Sequence, residues 1–159
     1  SVNTADIDAA MRDALAPFSR DEKAEGPYQV QESLQEVMQD NVNIVRAHDQ
    51  MEHALREIAK LKQRAATAVV KGNREYNPGW HTALDLKHLL TVSEALARCA
   101  LERKESRGGH FRDDYPDKDP AYSTFNFTVK KGASGEMELS RAPIPPMPEH
   151  LKAVIEEMK

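Results

Sequence analysis

Along most of the chain, apolar residues recur every three or four positions, the period of a helix with one buried face. Val30, Leu34, Val37, Met38, Val42 and Val45 form one stripe, and Pro27 stands just before it, where a first helical turn tolerates proline. Met51, Leu55, Ile58, Ala65 and Val69 form a second, starting at His48 or Asp49 and closing on the C-cap pair Lys71-Gly72. Its outer face carries Glu52, Arg56, Glu57, Lys60 and Arg64 at spacings that support an exposed helix. A third stripe uses Leu86, Leu89, Leu90, Val92, Leu96, Cys99 and Ala100 and predicts a helix from about Trp80 to Lys104. A shorter amphipathic helix is predicted from Asn3 or Thr4, through Ile7, Met11 and Leu15, to about Pro17. FSRDEKAEGP and GNREYNPGW are the loops between them. Three long amphipathic helices with short connections predict an all-α, up-and-down three-helix bundle.

Past the third helix the period changes. YSTFNFTVKKGASGEMELS at 121–139 alternates aromatic or apolar with polar residues and turns at KGASG, the pattern of a β-hairpin. RAPIPPMPEH is too rich in proline for regular structure, and EHLKAVIEEMK can close the chain as a short helix. The expected organisation is an N-terminal helix and polar loop over 1–27, a bundle over 28–105, and a loop, hairpin and extended tail over 106–159.

Composition narrows the function. The 159 residues are 40% apolar and 30% charged, enough for one domain with a core. A net charge of −4 gives no reason to expect nucleic-acid binding, which needs a basic face. The longest nearly apolar run, AATAVV, is far too short to span a bilayer, and no basic start followed by an apolar stretch marks a signal peptide. The expected compartment is therefore the cytoplasm. The chain opens SVNTADIDAA without methionine, as a processed terminus or a piece of a longer protein would.

Candidate chemistry is sparse. His48 and His53 flank Glu52 but are five apart, which on a helix turns their side chains about 140° from each other, so exposed or capping roles fit better than a metal site. His81 and His88 share a helical face without a neighbouring carboxylate, and Cys99 reads as core filler. Trp80, after Asn77-Pro78-Gly79, suits a lock on the turn into the third helix. No phosphate-cradling glycine pattern, GxSxG or CxxC is present, and no catalytic, cofactor-binding or metal-ligating set assembles.

The stretch ESRGGHFRDDYPDKDP at 105–120 is the exception. Arg107, His110 and Arg112 are donors of fixed or switchable geometry, spaced by glycines that permit close backbone approach. Two readings stand: a frayed, solvated helix end, or a loop buried against another surface where arginines meet carboxylates or carbonyls.

Arg103 to Asp119 resemble a motif of the succinate dehydrogenase and fumarate reductase flavoprotein subunit, approximately R-x-E-S-R-G-[AG]-H-x-R-x-D-[YF]-P-x-R-D-D. YQVQESLQEVMQDNVNIVR at 28–46 and YNPGWHTALDLKHLLTVSEALARCALERKESRGGH at 76–110 resemble the helices of its C-terminal domain, and the likeness covers most of residues 1–142. L-aspartate oxidase has a related domain, although NPGW with ESRGGH favours the succinate/fumarate branch. The resemblance implies a spectrin-like bundle and a parent enzyme with covalent FAD that interconverts succinate and fumarate. It further implies an iron–sulfur subunit and membrane-anchor partners, with the parent peripheral on the inner face of the membrane. The domains that carry the family's flavin and substrate residues precede this region, so no catalytic residue and no cofactor site carries over. What carries over is a docking loop: Arg107, His110 and Arg112 against the flavin-binding domain of the same polypeptide, with Glu105 and Asp114 orienting them. Lys118 and Pro120 depart from the motif, and a lysine cannot make a two-pronged guanidinium contact. The fragment alone is expected to be inactive, with an exposed docking face through which copies can self-associate. A free-standing helical interaction module is the remaining alternative.

Overall fold

The computed structural model describes residues 3–158, in two compact units that divide between Asp117 and Lys118. The first unit contains α1 (Thr4–Leu15), α2 (Pro27–Asn41), α3 (His48–Thr67) and α4 (Pro78–Glu102). Two short strands, β1 (Val45–Arg46) and β2 (Phe111–Arg112), pair in parallel. The loop that the sequence groups with the tail thus belongs to the bundle unit up to Asp117.

Each helix starts and stops for a local reason. The Asn3 carboxamide accepts a hydrogen bond from Ala5 N–H at 3.1 Å and caps α1, which tightens into a 3-10 turn at Ala16–Ser19. Proline occupies the first turn of α2 and of α4, where its missing N–H costs nothing. Asn77 Oδ1 accepts from Trp80 N–H, while its Nδ2 donates to the carbonyls of Lys71 and Asn73, so one side chain both caps α4 and shapes the loop before it. α3 ends at Thr67 rather than running to the Lys71-Gly72 pair. The chain turns extended at Ala68, buries Val69 and Val70, and hydrogen-bonds them to Glu25 O and Pro17 O. Arg20 meanwhile donates to the carbonyls of Ala65 and Ala68, satisfying the end of that helix.

The core sits where the three long helices face one another. Val30 and Leu34 of α2, Ala54, Ile58 and Leu61 of α3, and Leu86, Leu90 and Ala97 of α4 form it with Val42 and Ala68. Two sequence expectations are corrected here. Val45 leaves the α2 stripe because the helix stops at Asn41, and the residue is exposed in β1. On α4 only part of the stripe is inside: Leu89, Val92 and Leu96 are exposed. Glu94 takes a buried place instead, held by Lys62 of α3 and by Arg98 at 2.6 Å. Burial works to raise the Glu94 pKa, but the hydrogen bonds and charges of those two cations prevail and hold it below the usual range.

The second unit contains a 3-10 turn at Pro120–Ser123, an antiparallel hairpin of β3 (Phe125–Lys131) and β4 (Met137–Pro143), and α5 (Glu149–Glu157). The register runs from Phe125 opposite Pro143 to Lys131 opposite Met137, so β4 extends into the proline-rich stretch that the sequence suggested was irregular. Pro143, at the strand's last position, removes no interior ladder bond. One hairpin face carries Phe125, Phe127, Val129, Met137 and Leu139, with the Arg141 guanidinium 4.7 Å from the centre of the Phe125 ring. The other carries Asn126, Thr128, Lys130, Glu138 and Ser140, the strict alternation of a strand. Among the described residues no helix is long and apolar enough to cross a membrane.

Candidate functional site

The loop after α4 folds back against the end of that helix. Ser106 organises it: its hydroxyl accepts from Arg112 N–H at 2.8 Å and donates to Tyr115 O at 2.9 Å, while its own N–H donates to Asp117 O. Arg107 and His110 exchange both backbone hydrogen bonds across Gly108-Gly109. Gly108 sits at φ +60°, a conformation glycine adopts without strain. Phe111 N–H donates to Ile44 O and Asp113 N–H to Arg46 O, which zips the loop onto the segment between α2 and α3.

Arg112 is fully buried. Its Nε and Nη2 hold the Asp114 carboxylate at 2.7 and 2.6 Å, and Nη1 donates to the carbonyls of Ala100, Leu101 and Arg103 at 2.9–3.1 Å. These are carbonyls from the end of α4, so the guanidinium works as a C-terminal cap that also meets the negative end of the helix dipole. Tyr115 lies under it, ring centre 5.0 Å away. The hydrogen bonds to Arg112 keep the Asp114 carboxyl below its ordinary range.

Glu105 is buried as well and gathers two cations. Arg103 Nη1 reaches its Oε1 at 2.5 Å, and Arg107 forms a two-pronged pair with it at 2.9 and 3.0 Å. His110 stands between two partners: Nε2 lies 3.1 Å from Arg103 O and Nδ1 lies 2.5 Å from Arg46 Nη1. The carbonyl requires a donor and the guanidinium an acceptor, which assigns the neutral ring protonated on Nε2. Burial pushes the His110 pKa down; the Arg103 carbonyl opposes this, and the charges of Arg46, Arg112 and Arg103 reinforce it. Burial, then the charge of Arg112, likewise draws Arg46 downward.

The five residues singled out in the sequence therefore converge, but in two layers. Glu105 and Arg112 lie inside, whereas Arg107 is partly exposed beside the open glycine turn, where an added Cβ would meet nothing. Around that turn Ile44 and Val45 are 60% and 55% exposed and Phe111 is 38% exposed. Arg46, Ser106 and this apolar rim were missed in the sequence. No signal in the sequence announced them, because Val45 continues the α2 stripe three positions after Val42.

The other candidates fall elsewhere. His48, Asp49 and Glu52 bring ligand atoms within 4.8 Å of one another, all exposed, and His53 is not among them. His81 and His88 are exposed on α4. Cys99 is half-buried, and burial raises its thiol pKa. Trp80 donates through Nε1 to Ala14 O at 2.7 Å and meets Phe18 edge-on, tying the start of α4 to the end of α1. Among the described residues the parallel strand pair is two residues long on each side, and no glycine-rich loop leads from a strand into a helix.

The sequence model of the family described as "Fumarate reductase flavoprotein C-term" matches residues 31–155, which include all three bundle helices almost entirely and the whole loop. The chain belongs to that family. The fumarate reductase flavoprotein subunit of Haemophilus influenzae is 33% identical over 123 residues, 75% of this chain and 20% of the relative. L-aspartate oxidase of Yersinia pestis is 42% identical over 84 residues, 51% of this chain and 14% of that relative. In three dimensions the chain is similar to Mycobacterium smegmatis Sdh1, solved in complex with UQ1. There the TM-score is 0.88 at 38% identity, over 98% of this chain and 27% of that one. The chain thus spans about a fifth of the length of the curated flavoprotein relatives it matches.

Proposed function

We propose that this chain is the helical domain of an FAD-dependent succinate dehydrogenase or fumarate reductase flavoprotein. In this reading it makes no catalytic contact itself and presses its loop rim onto the flavin-binding domain of the same polypeptide. The observation that carries the reading is the two-layered loop. Its buried charges are satisfied within the chain, so the loop is rigid, yet Ile44, Val45 and Phe111 are left outward around an open glycine turn. A rigid loop with an apolar rim loses little conformational entropy on docking. Arg107 and His110 are the polar members of the rim; Arg112, Asp114 and Glu105 hold its shape. Coverage of 75% of this chain by a fumarate reductase flavoprotein, against 51% by L-aspartate oxidase, favours the former branch.

The parent would hold FAD, covalently attached, entirely in the preceding domain. It would pass electrons to an iron–sulfur subunit and a membrane anchor, on the inner face of the membrane. The test is Ile44→Glu and Val45→Glu, made separately, in the longer flavoprotein. Both side chains are more than half exposed here, so the 159-residue chain should melt close to the wild type. The longer polypeptide should lose bound flavin and turnover. Unchanged flavin content, stability and turnover would discard the docking role.

A further inference from the structure

The hairpin and α5 have no core. Among the described residues of 118–158 none is buried, although the register of β3 and β4 is complete and α5 is regular. An isolated two-stranded hairpin is marginal in water, and so is a helix of nine residues, unless an apolar face is covered. Such faces are present. Val129 and Leu139 face one another across the hairpin. Leu151, Val154 and Ile155 stand at i, i+3 and i+4 on α5, each between 46% and 49% exposed, and Met158 follows at its C-cap, 81% exposed. That spacing is the one by which a helix seats in a groove.

We infer that residues 118–158 form an arm that folds by docking on the remainder of the same flavoprotein polypeptide, with Val154, Ile155 and Leu151 as its helical anchors. This rests on the chain being part of that longer protein. The similarity to Sdh1 covers 98% of this chain and 27% of that one, so nearly all of residues 118–158 have counterparts within a longer polypeptide. Covalent linkage favours this occupant: a tethered arm meets its site at an effective concentration near millimolar, which a separate chain does not match. A lipid surface is disfavoured, because the polar side of α5 carries Glu149, Glu156 and Glu157 against Lys152 alone.

Hydrogen exchange of the 159-residue chain and of the longer flavoprotein expressed alone tests the arm. Peptides from 125–158 should exchange almost without protection in the short chain, and at least about 100-fold more slowly in the long one. Val154→Asp with Ile155→Asp should abolish that protection while leaving the bundle peptides unchanged. Equal protection in both proteins overturns the inference, as does its absence from both. Protection of the short chain that grows with concentration would name a second copy as the occupant. Protection appearing only with partner subunits, or only with phosphatidylglycerol vesicles, would name those, and each overturns the inference. Peptides 107–111 report the loop docking separately, so either reading can fail without the other.

Discussion

The Arg112 guanidinium closes the end of α4 and fixes Asp114 in one stroke, with every nitrogen engaged inside the chain that carries it. Arg112→Met keeps the length and apolar stem but removes the shared donor of the Ala100, Leu101 and Arg103 carbonyls and both guanidinium bonds to the Asp114 carboxylate. The expected loss is about 3–5 kcal/mol, measured by urea unfolding of the 159-residue chain; a change within about 0.5 kcal/mol would show the cap to be idle. Lysine should recover little, because one ammonium cannot hold both carboxylate oxygens and the helix carbonyls. His110 makes a pH-dependent contribution. Its folded pKa lies below the free value of about 6.5, so the folded state binds fewer protons than the unfolded one between the two pKa values. The stabilisation is present above about pH 6.5 and lost as pH falls through the folded pKa, where a charged ring would confront Arg46, Arg103 and Arg112. The melting temperature should fall more steeply below about pH 6.5 in the wild type than in His110→Asn; parallel profiles would remove His110 as the cause. Motif spelling brought these residues into view in the sequence, but it could not show that Arg112 points inward and Arg107 to the rim.

At the scale of elements, α4 tests which apolar positions matter. Leu90 is 2% exposed and Val92 is 66% exposed, yet both belong to the stripe that periodicity suggests. Leu90→Ala should cost about 2–5 kcal/mol, against less than about 0.5 for Val92→Ala, in the short chain; comparable losses would mean that α4 packs on its other side. Helix existence was legible because a period near 3.6 is imposed by the backbone itself. The ends were less so. α2 breaks at Asn41 and α3 at Thr67 to make contacts with residues distant in the chain: β1 with β2, Val69 with Glu25 and Val70 with Pro17. No local pattern announces a partner more than forty residues away. The hairpin was legible for the opposite reason, since its partners are neighbours in sequence and its alternation is strict.

For the whole molecule, the family assignment and the absence of a dinucleotide cradle among the described residues make one expectation plain. FAD added to the 159-residue chain should leave flavin fluorescence and anisotropy unchanged; a saturable rise in anisotropy would locate a flavin site in this piece. Three amphipathic stripes, a hairpin alternation and one loop motif were determined by sequence alone, because each is a short-range regularity written in consecutive residues. Which stripe positions go inside, which arginine is buried and which surface stays apolar were decided only by tertiary structure. Those outcomes depend on what each side chain meets across the fold, and Arg46 meeting His110 across sixty-four positions of chain is the plainest case.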